Sequence, residues 1–190
     1  CSSFGDLSLQ NCISVGPMSY TKTTVQTQLC DPIVINYGGK AASLRGEKFS
    51  FDLDMDGSED QINFVGEGSG FLALDKNGDG VINDGSELFG PQSGNGFSEL
   101  RGYDSDGNGW IDENDEVYSM LRVWSKDKDG NDQLFTLKEL DIGAIYLGEV
   151  ETEFSMKDGG NNTQGVVRST SFYLKDSGGA GTVNYIDLAL

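Results

Sequence analysis

The sequence predicts an α+β fold that is mainly β, built from short antiparallel hairpins, loops and a few short helices. Apolar runs are short and alternate with polar residues, and 27 glycines fall largely between them. Apolar residues recur at helical spacing only over 97–102, 113–122 and 136–140. We therefore expect these three stretches to form short helices that pack on the strands.

Charge is distributed unevenly along the chain. The 190 residues include 31 acidic and 13 basic side chains and no histidine, for a net charge of −18. Residues 52–116 hold 17 acids and two bases, a net of −15. Nucleic acids and anionic membranes require basic surfaces, so neither partner is expected. The lack of histidine excludes histidine triads and histidine–zinc sites. Packing so many carboxylates together is repulsive unless a cation lies among them.

The first acidic cluster, residues 52–60, has the spacing of a calcium loop. Oxygen-bearing side chains stand mainly at alternate positions, and Gly57 at the sixth position permits a sharp turn. Alternating apolar runs at 49–51 and 62–65 predict a strand on each side. The predicted calcium ligands of this loop are Asp52, Asp54, Asp56, Ser58 and Asp60.

The second cluster, residues 75–87, departs from the EF-hand pattern at its closing residue. An EF-hand loop closes with an acid at position 12, whereas here Ser86 occupies position 12 and Glu87 follows it. The loop is thus one residue longer, and we expect Glu87 to open a short helix over 86–89. The predicted ligands are Asp75, Asn77, Asp79, Glu87 and the carbonyl of Val81.

The third cluster, residues 104–115, fits a 12-residue calcium loop without insertion. The predicted ligands are Asp104, Asp106, Asn108, the carbonyl of Trp110 and the closing Asp115, with Asp112 acting through water. Three such loops predict about three Ca²⁺ ions as cofactors, and these calcium loops complete the predicted fold class. The alternative for each loop is a solvated turn without metal, because Asp, Asn and Gly dominate turns.

A fourth acidic stretch, residues 127–132, lacks the glycine at position six and the closing acid. It therefore predicts a hairpin turn. The alternative is that Asp127, Asp129 and Asn131 bind a further ion.

The order of these motifs resembles a known bacterial family. Residues 70–90 and 103–112, followed by 121–124 and 136–140, resemble the calcium-binding segment of RTX-type iron-regulated proteins. The resemblance covers about residues 31–147 and extends to bacterial surface proteins with EF-hand-like or dockerin-like loops. It implies a self-processing module that cleaves its own chain at an Asp-Pro bond when calcium binds. The glycine-rich nonapeptide repeats of RTX proteins are absent from the sequence, so a parallel β-roll is not expected.

The resemblance implies that Asp31 and Pro32 form the bond that is cleaved. The Asp31 carboxyl would attack its own peptide carbonyl and expel the proline nitrogen, and water or a lysine amine would open the resulting anhydride. In the family a calcium loop follows the proline directly, whereas residues 36–40 here do not form one. The alternative is that Pro32 only begins a strand, a position where proline is tolerated.

The three cysteines leave two interpretations open. Cys1 followed by two serines is typical of a mature bacterial lipoprotein, which predicts a lipid anchor at Cys1. Cys12 and Cys30 bracket a Ser/Thr-rich segment and would form a disulfide in an oxidising compartment. The alternative is three free, buried thiols.

These observations predict an organisation and two functions. Residues 1–30 are expected to form an N-terminal Ser/Thr-rich strand segment, 31–147 a calcium-binding domain, and 148–190 C-terminal β-hairpins packed on the same domain. The sequence has no transmembrane segment, and calcium is plentiful only outside the cytosol. The leading interpretation is a non-enzymatic, extracellular or cell-surface structural module that pairs strands with itself or with other surface proteins. The alternative is calcium-dependent self-processing at Asp31–Pro32.

Overall fold

A computed structural model describes residues 31–188, which form eleven strands and one short α-helix. The strands are β1 (Ile33–Asn36), β2 (Leu44–Phe51), β3 (Asp60–Val65), β4 (Ser69–Leu74), β5 (Trp110–Ile111), β6 (Leu121–Lys126), β7 (Asp132–Thr136), β8 (Ile142–Tyr146), β9 (Val150–Lys157), β10 (Thr163–Lys175) and β11 (Ala180–Leu188). The helix α1 spans Gly96–Arg101, and 3₁₀ turns span Gly85–Glu87, Glu116–Ser119 and Lys138–Leu140. None of the helices in this described part is long and apolar enough to cross a membrane.

The α+β class predicted from the sequence is wrong, because the protein is nearly all β, with 46% strand and 10% helix. Only the expected helix at 97–102 forms an α-helix, whereas 113–122 contains one 3₁₀ turn and then the start of β6. Leu121 and Val123 are fully buried on the same face of β6, which is the two-residue period of a strand. A few apolar residues at helical spacing cannot nucleate a helix against such strand pairing.

The main sheet has nine strands, which pair in the order β5-β8-β10-β11-β1-β4-β6-β7, with β9 pairing to β10. Among residues 31–188 the strands of this sheet all pair antiparallel, and the sheet curls into a half-barrel. β2 and β3 form a separate hairpin. Strand β1 pairs with both β4 and the distant β11, so the sheet continues across the boundary predicted at residue 147. The division into segments at that residue stays a prediction.

Strand β1 is buried on both faces of the sheet. Ile33 and Ile35 belong to the hydrophobic cluster on one face, whereas Val34 belongs to the cluster on the other, and all three are fully buried. Phe97 of α1 packs into the first cluster, and Phe64 of the β2–β3 hairpin packs into the second. A continuous apolar run suits a strand covered on both sides. The residues just before β1 are consequently drawn into the interior.

The expectations for the N-terminal segment lie outside the described residues. They concern Cys1, Cys12, Cys30 and the segment 1–30 as a whole.

Candidate metal loops and the Asp31–Pro32 site

The first loop joins β2 to β3 and gathers three carboxylates. Asp52, Asp54 and Asp56 each offer an oxygen, and these oxygens lie within 4.8 Å of one another. The Gly57 N–H donates to Asp52 Oδ2 at 3.1 Å, and the Ser58 N–H donates to Asp56 Oδ1 at 2.7 Å. The two flanking strands predicted from the sequence pair as an antiparallel hairpin, which brings both ends of the loop together.

Two carboxylate oxygens of this loop are placed as the ligands of a cation would be. Asp52 Oδ1 and Asp60 Oδ2 are buried and have no hydrogen-bond partner among residues 31–188. Burial, and after it the neighbouring Asp54 carboxylate, raise the pKa of Asp60. A buried oxygen without a partner costs free energy, and an oxygen-only donor set suits Ca²⁺. The residues present therefore fit a calcium ion.

The second loop is held mainly by hydrogen bonds from its own backbone. Asp75 accepts the N–H of Gly80 at 2.8 Å. Glu87 is 4% exposed and accepts the N–H groups of Lys76 at 3.1 Å and Asn83 at 2.9 Å. Within the described residues this loop does not bring three acids within 4.8 Å, in contrast to the first and third loops. Glu87 ends the 3₁₀ turn that replaces the expected helix over 86–89.

The other predicted ligands of the second loop form short turns. The Asp79 N–H donates to Asn77 Oδ1 at 2.9 Å, and the Val81 N–H donates to Asp79 Oδ1 at 2.8 Å. A hydrogen bond from Asn83, and then the Val81 amide, lower the pKa of Asp79. These contacts keep the Asp79 carboxylate ionised.

The third loop closes on a buried acid, as its sequence predicts. Asp104, Asp106 and Asp115 offer oxygens within 4.8 Å of one another, and Asp115 is 3% exposed. Asp115 accepts the Ser105 N–H at 2.7 Å and the Asp112 N–H at 3.1 Å. Burial alone would raise the pKa of Asp115, but these hydrogen bonds bring it below its ordinary value. The loop therefore holds its closing carboxylate ionised and directed inward.

The remaining ligands of the third loop lie where it joins the sheet. The Trp110 N–H donates to Asn108 Oδ1 at 2.7 Å, and Trp110 begins β5. Trp110 pairs with Tyr146 of β8, and their ring centroids lie 4.8 Å apart. The main sheet thus fixes the backbone of this loop at its seventh position.

The hairpin turn predicted at 127–132 is confirmed, because β6 and β7 pair up to Lys126 and Asp132. Asp127 Oδ1 accepts the N–H groups of Asp129 at 2.8 Å and Asn131 at 2.9 Å. The Asp127 carboxylate therefore stabilises the turn. Binding of a further ion here stays a prediction.

The first and second loops are joined through Gly85. The Gly85 N–H donates to the carbonyl of Asp52 at 2.9 Å, and a Cβ at this position would overlap the carbonyl oxygen of Leu53. Leu53 is fully buried. Only glycine allows so close an approach. The backbones of the two loops are thus in direct contact.

Asp31 lies buried immediately before β1, with 6% of its surface exposed. Its Oδ1 has no hydrogen-bond partner in the described part of the chain. Burial, and after it the Asp187 carboxylate, raise the pKa of Asp31 to about 6. Asp31 therefore keeps its proton to a higher pH than an ordinary aspartate does.

Three further residues surround Asp31 and were not predicted from the sequence. The Tyr185 hydroxyl is buried beside Asp31 and lacks a partner among residues 31–188. Burial, and then the Asp31 charge, raise the pKa of Tyr185. Arg168 Nη2 donates to Asp187 Oδ2 at 2.7 Å. The sequence feature that could have indicated them is Asp187, an acid in an otherwise apolar terminal run. Tyr185 lies two residues before it and therefore on the same face of a strand.

The backbone around the Asp31–Pro32 bond is held by two neighbouring segments. The Pro32 carbonyl accepts the Ile186 N–H at 3.3 Å, and the Ile33 N–H donates to the Phe89 carbonyl at 3.0 Å. Pro32 precedes the first residue of β1, so it also occupies a position that proline tolerates in an uncleaved strand.

The carbonyl of Asp31 packs against Gly90. A Cβ at Gly90 would overlap the Asp31 carbonyl oxygen and would lie 3.3 Å from the Tyr185 ring. The φ angle of Gly90 is 119°, which favours glycine. Gly90 follows Glu87 of the second loop by three residues. The second loop is thus connected by a short segment to the Asp31 carbonyl.

An open groove of about 800 Å³ adjoins this site. Its lining includes Glu149, Glu151, Glu153, Arg168 and Tyr185. Tyr185, which neighbours Asp31, forms part of the wall of this groove.

This geometry defines a class of protein: a nearly all-β module that carries acidic loops and a buried Asp-Pro bond. The chain belongs to the SPM domain family, whose model matches residues 35–189. In an alignment of 150 positions that covers 70% of the chain, it is also 29% identical to the iron-regulated protein FrpA of Neisseria meningitidis serogroup C. The match spans 14% of FrpA. The predicted relation to iron-regulated bacterial proteins is confirmed, whereas calcium binding stays a prediction.

Proposed function

We propose that this chain is a calcium-dependent self-processing module that breaks its own Asp31–Pro32 peptide bond. The observation that carries the proposal is the buried Asp31 carboxyl, 6% exposed and with a pKa of about 6, immediately before a proline. A buried acid without a full set of partners destabilises a fold, and such groups are concentrated at functional sites. Membership of the SPM domain family and the similarity to FrpA agree with this function.

The proposed reaction is an intramolecular acyl transfer. An oxygen of the ionised Asp31 carboxyl bonds to the carbonyl carbon of the same residue, and the bond to the Pro32 nitrogen breaks. The nitrogen takes a proton and becomes a free amino terminus, and Asp31 becomes a five-membered anhydride. Water then opens the anhydride and leaves Asp31 with two free carboxyl groups. Placing both groups in one residue gives the attack its high effective concentration.

A neighbouring side chain supplies the orientation, and water supplies the proton. Burial, and after it the Asp187 carboxylate, raise the pKa of Asp31 to about 6, so at pH 7 most molecules carry the ionised carboxyl that the attack uses. Water in the groove that Tyr185 lines is the proposed source of the proton that the departing Pro32 nitrogen takes. The Tyr185 hydroxyl lies beside Asp31 without a partner among residues 31–188, and a hydrogen bond that it donates to the attacking carboxyl would hold that carboxyl in place. Tyr185 is thus a positioning residue.

The loops provide the proposed control by calcium. Bound calcium would supply the positive charge that offsets the repulsion between the loop carboxylates. Gly85 joins the first loop to the second, and the second loop ends three residues before Gly90. Gly90 in turn packs against the Asp31 carbonyl. Ordering of the loops would therefore fix the carbonyl at the distance that the Asp31 carboxyl needs.

Intact-mass spectrometry of the purified chain tests this function. The chain is incubated at pH 7 with calcium or with EDTA, and the same incubations are made with Asp31→Asn. We expect calcium alone to produce fragments 1–31 and 32–190, the second beginning at Pro32, and we expect Asp31→Asn to stay intact. A wild-type chain that stays whole although calcium is shown to be bound contradicts the proposal.

A structural role at the cell surface is the second candidate function. The exposed edge of β9, where Val150 is 68% and Phe154 is 67% exposed, favours a protein that assembles with other chains over one that acts as a monomer. The extracellular or cell-surface location is part of the same proposal, because loops of oxygen ligands fill with calcium where that ion is plentiful.

A further inference from the structure

Strand β9 is an edge strand with an exposed apolar row. Val150 and Phe154 are the two most exposed large hydrophobic residues in the described part of the chain, at 68% and 67%. β9 pairs with β10 along one side, and no described strand pairs along its other side. An open edge with exposed apolar side chains readily accepts another strand.

We propose that β9 of a second copy of this chain occupies this edge, antiparallel and related by a two-fold axis through Phe154. In that register Phe154 lies opposite Phe154 of the partner subunit, and Glu151 lies opposite Lys157 of the partner subunit. The symmetry repeats the Glu151–Lys157 pair on the other side of the axis. Opposite charges and aromatic pairs directly across two strands are favourable. This proposal does not depend on self-processing.

The charges of β9 select this register over its neighbours. A two-fold axis through Glu153 would place two Glu153 carboxylates opposite each other, which is destabilising. An axis through Ser155 would pair only residues 153–157. It would also place Glu153 opposite Lys157 of the partner subunit, although Glu153 Oε1 already lies 3.2 Å from Arg168 Nη1. Glu151 and Lys157 form no ion pair among residues 31–188. Lys157 Nζ donates to the uncharged Asn161 Oδ1 at 3.2 Å, so its charge remains without a counter-charge.

The apolar row continues on the next strand of the same sheet. Phe154 pairs with Val167 of β10, which belongs to one of the core clusters. Phe172 and Leu174 of β10 remain 39% and 41% exposed. A second sheet joined at β9 would extend this face and cover part of its apolar surface. Burial of Phe154 would contribute to the association because apolar surface leaves water.

Charge reversal tests the proposal. Sedimentation velocity over a range of concentrations is measured on chains that carry Asp31→Asn, so that each chain stays whole. We expect a dimer with twice the 20.5 kDa mass of the chain. Glu151→Lys, Lys157→Glu and Phe154→Lys should each weaken the dimer at least about tenfold, since each removes a cross-strand pair or places like charges together. The double variant Glu151→Lys/Lys157→Glu should restore it.

Lys128→Glu is the matched control, because it reverses an exposed charge away from β9 and should leave the dimer unchanged. Circular dichroism establishes that every variant is folded. A wild-type chain that is monomeric at all concentrations overturns the proposal. Single reversals that leave the dimer intact, or a double reversal that fails to restore it, overturn it equally.

Discussion

The carboxylates of the loops and the carboxyl of Asp31 lie in opposite environments. Asp79 is exposed, and hydrogen bonds from Asn83 and Val81 lower its pKa. Asp31 is buried, and burial together with Asp187 raises its pKa to about 6. The second loop therefore favours a charged Asp79, whereas the Asp31 site favours a proton. This difference supports the proposals that the loops bind a cation and that Asp31 reacts.

Removal of calcium is expected to have the largest effect on stability, because it leaves the gathered loop charges unneutralised. Each site filled at 1,000 times its Kd stabilises the fold by about 4 kcal/mol. Asp52→Asn and Asp104→Asn should each lower the Tm gained in calcium over EDTA, as measured by thermal unfolding of Asp31→Asn chains. Asp176→Asn is the matched control, because Asp176 is exposed and lies outside the four acidic stretches, so this variant should keep the full gain. Equal Tm values for Asp31→Asn in calcium and EDTA would show that the loops bind no calcium.

Asp31→Asn should show how much the buried Asp31 charge lowers the free energy of unfolding. The pKa of Asp31 is raised from 3.8 to about 6, so the folded state loses stability as pH rises between these values. A shift of about two units corresponds to about 3 kcal/mol at pH 7. Asp31→Asn should therefore be more stable than wild type at pH 7 by up to about 3 kcal/mol, and the gain should vanish near pH 4.

Urea unfolding in EDTA at both pH values measures this difference. Asp141→Asn is the control of opposite sign, because hydrogen bonds from Ser177 lower the pKa of Asp141, so this variant should lose stability at pH 7. A gain for Asp31→Asn that is the same at pH 4 and pH 7 would refute the account of Asp31.

Gly90→Ala should have a smaller effect on stability but should block cleavage. A Cβ would overlap the Asp31 carbonyl oxygen, and overpacking of this kind costs about 2 kcal/mol. Gly130→Ala is the matched control, because Gly130 also has a positive φ but has no atom within 4 Å of the added carbon. Urea unfolding and intact mass distinguish the two variants. Unimpaired cleavage in Gly90→Ala would mean that this contact does not position the carbonyl.

Local sequence patterns predicted the turn at 127–132 and the strands on both sides of the first loop, because their determinants lie within a few residues. The Asp127 turn, for example, is specified by the side chain of Asp127 and the amides that follow it. The expected helix at 113–122 failed because strand pairing between β6 and its neighbours outweighed a short helical spacing.

The surroundings of Asp31 could not be predicted in the same way. Tyr185 and Asp187 reach Asp31 because β11 pairs with β1, and residues 37–179 separate these strands in sequence. Such a pairing follows from the whole sheet rather than from any local motif. The Asp-Pro pair itself was visible in the sequence, whereas its burial and its raised pKa were not.

A calcium titration that follows both binding and bond cleavage is the most direct test of whether calcium triggers cleavage of the Asp31–Pro32 bond. Calcium affinity is measured by calorimetry on Asp31→Asn, and release of the amino terminus at Pro32 is measured on the wild-type chain at the same calcium concentrations. We expect release to require calcium. We expect its rate to be half-maximal at the calcium concentration that half-saturates one of the binding steps. Release at the same rate in EDTA, or no release with the sites saturated, would contradict the proposed function.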